Sequence, residues 1–187
     1  KAEALISNDL MEEAIEAVSK GLELDPESLS GRRLQIETMK PEEVVPIFEE
    51  IISKYPNSLA LRHLIASKLS SVEPLKALSL LEEDTWNALI LKVKCYRSLS
   101  DYNNALECAI NAISLKSDSV DSWLAAGWSA FDIGNFEQSS DFFTSAIGCD
   151  MYCIDALVGK ALALEKLGKD STFYRNALSD LDHNLVI

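Results

Sequence analysis

Apolar side chains recur at three- and four-residue spacings along almost the whole chain, which is the period of an amphipathic helix, while β-branched runs are short and glycine is scarce. The pattern predicts an all-α protein. Its interruptions fall at residues that end helices. Gly134-Asn135 and Gly168-Lys169 supply residues that tolerate the left-handed conformation of a helix terminus, and Ser100-Asp101 stands at the matching place upstream. Residues 11–28 and 42–58 each read as one helix closed by a proline, Pro26 and Pro56. Pro46 is placed near the start of the second of these, where a missing amide is tolerated.

The pattern also repeats. Residues 86–119, 120–153 and 154–187 align as three blocks of 34 residues. Leu89, Trp123 and Leu157 coincide, as do Val93, Gly127 and Ala161, and Tyr96, Ala130 and Leu164. In the second half of the block Tyr102 meets Phe136, Ala105 meets Ser139, Ala112 meets Ala146, and Ile113 meets Ile147. Each block is therefore expected to be a helical hairpin, with small residues at Gly127, Ala161, Ala112 and Ala146 allowing close approach of the paired helices. Upstream, 1–28 reads as a partial unit, and 29–58 and 59–85 as shorter ones whose turns are clipped near Lys40-Pro41 and Ser70-Ser71. The chain begins on Lys1, partway into a helical pattern, and is expected to be a fragment of something longer.

With Trp123, Gly127, Phe136, Phe143 and Ala146, the middle block resembles the tetratricopeptide repeat, although Ala130 replaces that family's tyrosine and Met151 its proline. The resemblance implies a right-handed α-solenoid of stacked antiparallel hairpins running through 1–187 as one array, with a concave groove lined mainly by first helices. It further implies that repeat positions 2, 5, 9, 12 and 13 point into that groove: Asn87, Ile90, Lys94, Arg97 and Ser98, then Asp121, Leu124, Trp128, Phe131 and Asp132, then Asp155, Val158, Leu162, Glu165 and Lys166. Residues 46–69 are also similar to the half-a-TPR repeats of RNA-processing scaffolds.

Trp123, Gly127 and Ala130 form one stripe of their helix, and Leu124, Trp128 and Phe131 an adjacent one. The first stripe suffices to pack a hairpin. The second is surplus, and Leu124, Trp128, Phe131, Val158 and Leu162 are the candidates for a nonpolar partner-binding patch, with Ile90 a further groove candidate, because exposed apolar surface marks contact sites and tryptophan is favoured at hot spots. Lys94 and Arg97 add a basic stretch, so the expected ligand has an acidic portion and a bulky apolar anchor. Packing of the second stripe on a neighbouring helix is the competing reading.

Composition narrows the function. The chain has 187 residues, 48% of them hydrophobic, enough for a substantial core. Of its net charge of −13, residues 1–58 hold −7 and residues 120–187 hold −6, leaving the middle neutral. So acidic a chain argues against direct nucleic-acid binding, which needs clustered cations to neutralise phosphates. No apolar run reaches the roughly 18 residues of a membrane span, and the N-terminal residues lack the features of a signal peptide. An intracellular protein, cytoplasmic or nuclear, is expected. Cys95, Cys108, Cys149 and Cys153 fit reduced thiols within helices; "CDMYC" offers only half a metal site, so no metal and no cofactor are expected.

No phosphate loop, metalloprotease or nucleophile-elbow motif occurs, and neither His63 nor His183 has a partner fixed by local spacing. The expectation is a non-catalytic scaffold or adaptor, a subunit of a larger complex, that binds a peptide or protein segment in the groove. An RNA-processing scaffold, or a regulatory subunit holding a folded enzyme on the convex side, are the alternatives. The resemblance also implies that binding the C-terminal peptides of the Hsp70 and Hsp90 chaperones would need a Lys, Asn, Asn, Lys and Arg clamp. Lys94, Leu124 and Trp128 occupy positions where that clamp is broken, so such a ligand is not expected.

Overall fold

A computed structural model describes residues 2–7 and 10–184. Among them are thirteen helices and no strand, and no helix is long and apolar enough to cross a membrane. The chain divides into two compact units, Lys1–Glu82 and Glu83–Ile187.

In the first unit, α1 (Ala2–Ser7) pairs with α2 (Met11–Leu24), which packs on α3 (Leu29–Thr38). α3 lies against α6 (Leu59–Leu69), which also receives α4 (Pro41–Val44), α5 (Phe48–Lys54) and α7 (Pro74–Ser79). Ile36, Val44, Leu61, Ile65 and Leu69 are fully or almost fully buried. Both ends of α3 are satisfied by side chains. Ser28 Oγ accepts from Gly31 N at 3.2 Å, and Lys68 Nζ donates to the carbonyls of Glu37 and Met39 at 2.9 and 2.7 Å, placing a cation where the helix leaves unpaired acceptors. The clipped turn expected near Lys40-Pro41 is present, with Pro41 as the first residue of α4.

The single helix expected over residues 42–58 is broken in two: the chain turns at 45–47 and restarts at Phe48. Pro46 lies beyond the first turn, where its missing amide and the clash of its ring with the preceding turn break a helix rather than start one.

The second unit is built of three hairpins: α8 (Trp86–Ser98) with α9 (Tyr102–Leu115), α10 (Val120–Ile133) with α11 (Phe136–Cys149), and α12 (Ile154–Lys166) with α13 (Thr172–Asn184). α9 also packs on α10, and α11 on α12, while α10 touches both α8 and α12. The first helices thus form one layer and the second helices another. Each first helix ends beside a left-handed residue: Ser100 at φ 58°, Gly134 at φ 90° and Gly168 at φ 67°. The next helix then starts under a side-chain cap, Asp101 accepting from Asn104 N and Asn135 from Gln138 N.

Phe143 of α11 holds the middle of this unit together. It is fully buried and packs where two backbones come close, because a Cβ at Gly127 of α10 would lie 2.6 Å from its ring and one at Gly159 of α12 closer still. The close approach expected at Gly127 is therefore made by an aromatic ring rather than by helix against helix.

The third hairpin departs from the 34-residue offset. α9 and α11 start 34 residues apart, at Tyr102 and Phe136, but α13 starts at Thr172. Asp170 Oδ1 accepts from the backbone N and the hydroxyl of Thr172, at 2.9 and 2.6 Å, an Asx turn that leads into the helix. Phe173, in register with the fully buried Ala105 and Ser139, is 74% exposed.

Candidate protein-binding groove

The layer of α8, α10 and α12 carries the expected groove positions. Ile90, Lys94, Arg97, Leu124 and Trp128 line one pocket of about 250 Å3, together with Val93 and Ala125. Asp121 and Asp155 complete its wall. They are the second residues of α10 and α12, 34 positions apart, so one register places both. The remaining candidates, Phe131, Val158 and Leu162, are half-buried on the same helices and are not among the residues lining this pocket.

Trp128 faces two ways. Its ring meets the buried Phe143 edge-on at 5.0 Å and Phe131 at 5.8 Å, and Phe131 in turn meets Phe136 at 5.2 Å. The second apolar stripe therefore has a packing role within its own hairpin, and Trp128 is half-buried while also lining the pocket. Edge-to-face contacts of this kind fix an aromatic side chain in place and leave little rotamer entropy to lose on binding. Trp123 belongs to packing: its ring lies 6.1 Å from Phe142 and its indole N–H donates to the Ser117 carbonyl at 2.8 Å.

The two expected cations differ. Arg97 Nε donates to Asp132 Oδ2 at 2.7 Å, joining α8 to α10, so its charge is answered within the fold. Lys94 is exposed at the pocket, with no hydrogen bond or ion pair among the described residues. Among the described residues lining this pocket, the cation without a partner is Lys94, so the basic stretch expected there shrinks to one ammonium.

Sequence reasoning did not single out Lys160. This α12 side chain is 9% exposed, and its Nζ donates to Ser140 O at 3.0 Å, Ser140 Oγ at 2.6 Å and Thr144 Oγ1 at 2.7 Å. Burial holds its pKa below the ordinary 10.5, with Asp141 pulling the other way. Below the folded-state value both states are protonated and the burial cost is fully present. As pH rises from there towards 10.5 the unfolded chain holds more protons, so stability increases. Cys95 acts oppositely: burial pushes its thiol from 9.0 up to about 11, so stability falls across that range. We therefore expect the unfolding free energy of wild type to gain on that of Lys160→Met as pH is raised towards 10.5, in urea titrations followed by tryptophan fluorescence. A difference independent of pH would mean that the ammonium is not desolvated.

A second apolar surface also went unnoticed in the sequence. Met151, Tyr152 and Phe173 are 63, 65 and 74% exposed around a cavity of about 330 Å3 formed by α13 and the α11–α12 turn. Its signal was the misfit of Phe173 to a position held by Ala105 and Ser139.

No group of three or more potential metal ligands is found among the described residues, and the four cysteines are free thiols. His63 is half-buried on α6, and the side chain of His183 lies outside the described residues.

No family model matches the chain, and no curated protein matches its sequence. Solved structures do. MamA matches with a TM-score of 0.64 and 14% identity, over 99% of this chain and 96% of that one. PilW, a widely conserved type IV pilus biogenesis factor, matches with a TM-score of 0.79 and 12% identity, over 98% and 88%. The human IFIT1 dimer with PPP-AAAA matches with a TM-score of 0.68 and 17% identity, over 91% of this chain and 46% of IFIT1. All three are tetratricopeptide-containing proteins, and the likeness shows the fold of this chain to be an all-α solenoid of that kind.

Proposed function

We propose that the chain is a tetratricopeptide-family scaffold, with three repeats in 86–187 and shorter ones before them, that performs no catalysis and binds a segment of a partner protein across α8, α10 and α12. The observation that carries this reading is convergence. Ile90, Lys94, Arg97, Leu124 and Trp128, which the repeat resemblance marked as groove positions, line one pocket that is both apolar and charged. Apolar, largely pre-formed concavities with a few polar groups are where ligands bind. A reduced intracellular setting, cytoplasmic or nuclear, agrees with four free thiols.

A second reading, contact with a folded partner on the other layer, draws on the exposed Met151, Tyr152 and Phe173. Partner capture from a cell extract on the full chain separates the two. Leu124→Glu is expected to lose the partner and Phe173→Ala to keep it. The reverse result would transfer the function to the second surface.

A further inference from the structure

The groove reading leaves the chemistry of the bound segment open, and the charges at the pocket narrow it. Arg97 Nε is held by Asp132 at 2.7 Å, so its charge is offset within the fold. Lys94 is exposed at the pocket and, among the described residues, has no hydrogen bond or ion pair. Asp121 and Asp155 are both exposed, and among the described residues neither carboxylate has a hydrogen bond or an ion pair. The same pocket has an apolar lining of Ile90, Leu124 and Trp128, all half-buried. Free carboxylates thus outnumber free ammonium groups at the rim, in a third of the chain that already carries −6. This reverses the sign expected from Lys94 and Arg97 in the sequence.

We infer that the occupant of this groove is a peptide segment bearing a lysine or arginine beside a bulky apolar residue, the cation received by Asp121 and Asp155 and the apolar side chain by Leu124 and Trp128. The inference rests on the groove being the binding surface. Charge complementarity sets which segments dock and in which direction, and the apolar anchor supplies most of the affinity. The same carboxylates repel a phosphate backbone, which sets a peptide ahead of RNA as the occupant.

The test is a selection of random peptides on the immobilised full chain, followed by fluorescence-polarisation titration of the enriched peptides. Peptides pairing a basic with an aromatic or aliphatic residue are expected. Asp121→Asn with Asp155→Asn should weaken them about three- to tenfold, as loss of two solvent-facing ion pairs implies, and added salt should weaken them as well. Lys94→Gln, which removes a like charge facing a basic ligand, should raise affinity. If Leu124→Glu abolishes binding but the Asn pair does not alter it, or if Lys94→Gln weakens it, the cationic preference is overturned while the groove stands. If enriched peptides bind Leu124→Glu as well as wild type, or if none is enriched, the groove reading fails and this inference with it. Tight, steeply salt-dependent binding of labelled oligoadenylate that Leu124→Glu removes would replace the peptide with RNA.

Discussion

Phe143→Ala is expected to lower the unfolding free energy of the 83–187 unit by about 3–5 kcal/mol, the range for deleting a fully buried aromatic ring. The upper part of that range is favoured by what surrounds the ring. It lies against two glycines, so the cavity is bordered by the backbones of α10 and α12, which have no side chain there to swing into the space. The reciprocal change acts on the same contact. Gly159→Ala gains about 1 kcal/mol of helix propensity but places a methyl group inside the Phe143 ring, an overpacking that costs about 1–3 kcal/mol. Because Gly127 crowds the ring as well and Trp128 packs on it at 5.0 Å, the ring has no room to withdraw. Combining Gly159→Ala with Phe143→Leu should therefore cost less than the two changes added together. All three tryptophans, Trp86, Trp123 and Trp128, lie in this unit, so urea unfolding followed by tryptophan fluorescence reports on it alone. A Phe143→Ala loss below about 1 kcal/mol, outside the range for buried aromatics, would mean that the hairpins are held together elsewhere.

What could be read from the sequence was mostly local. Ser100, Gly134 and Gly168 were found from turn chemistry and spacing, and all three are left-handed in the structure, because the end of a helix is decided by a few adjacent residues. The stacking of 86–166 follows from a repeat period that the apolar pattern carries openly. Features that depend on competition between neighbours were not legible. α13 begins two residues later than the repeat offset, after the Asx turn that Asp170 makes with Thr172, and Phe173 is left in water. Pro46 was compatible with a helix start on propensity alone, yet α4 had already begun at Pro41.

The groove shows the same division. Its candidate positions came from the repeat resemblance, and five of them line one pocket, but their charge balance was not legible. Arg97 and Asp132 are adjacent groove positions of successive repeats, and only their side-chain geometry reveals that they answer each other, leaving Lys94 as the unpartnered cation among the described residues of that pocket. Trp128 was surplus to a single hairpin when judged by stripes. The structure gives it a support, Phe143, as well as a place in the pocket, so packing and lining are two faces of one residue.

Trp128→Ala is accordingly expected to reduce partner affinity by at least about 2 kcal/mol, close to thirtyfold in dissociation constant, as for a central aromatic anchor. It should also cost stability, since removing the indole exposes Phe143 to an empty space. The two effects must be separated. Trp86 and Trp123 remain to report folding in the variant, and binding is to be compared only where both proteins are fully folded.

The most direct measurement of the central claim is the equilibrium titration of the captured partner segment against wild type and folded Trp128→Ala on matched samples. The groove assignment predicts affinity at least about thirtyfold weaker for the variant. Equal affinities for the two folded proteins would contradict it.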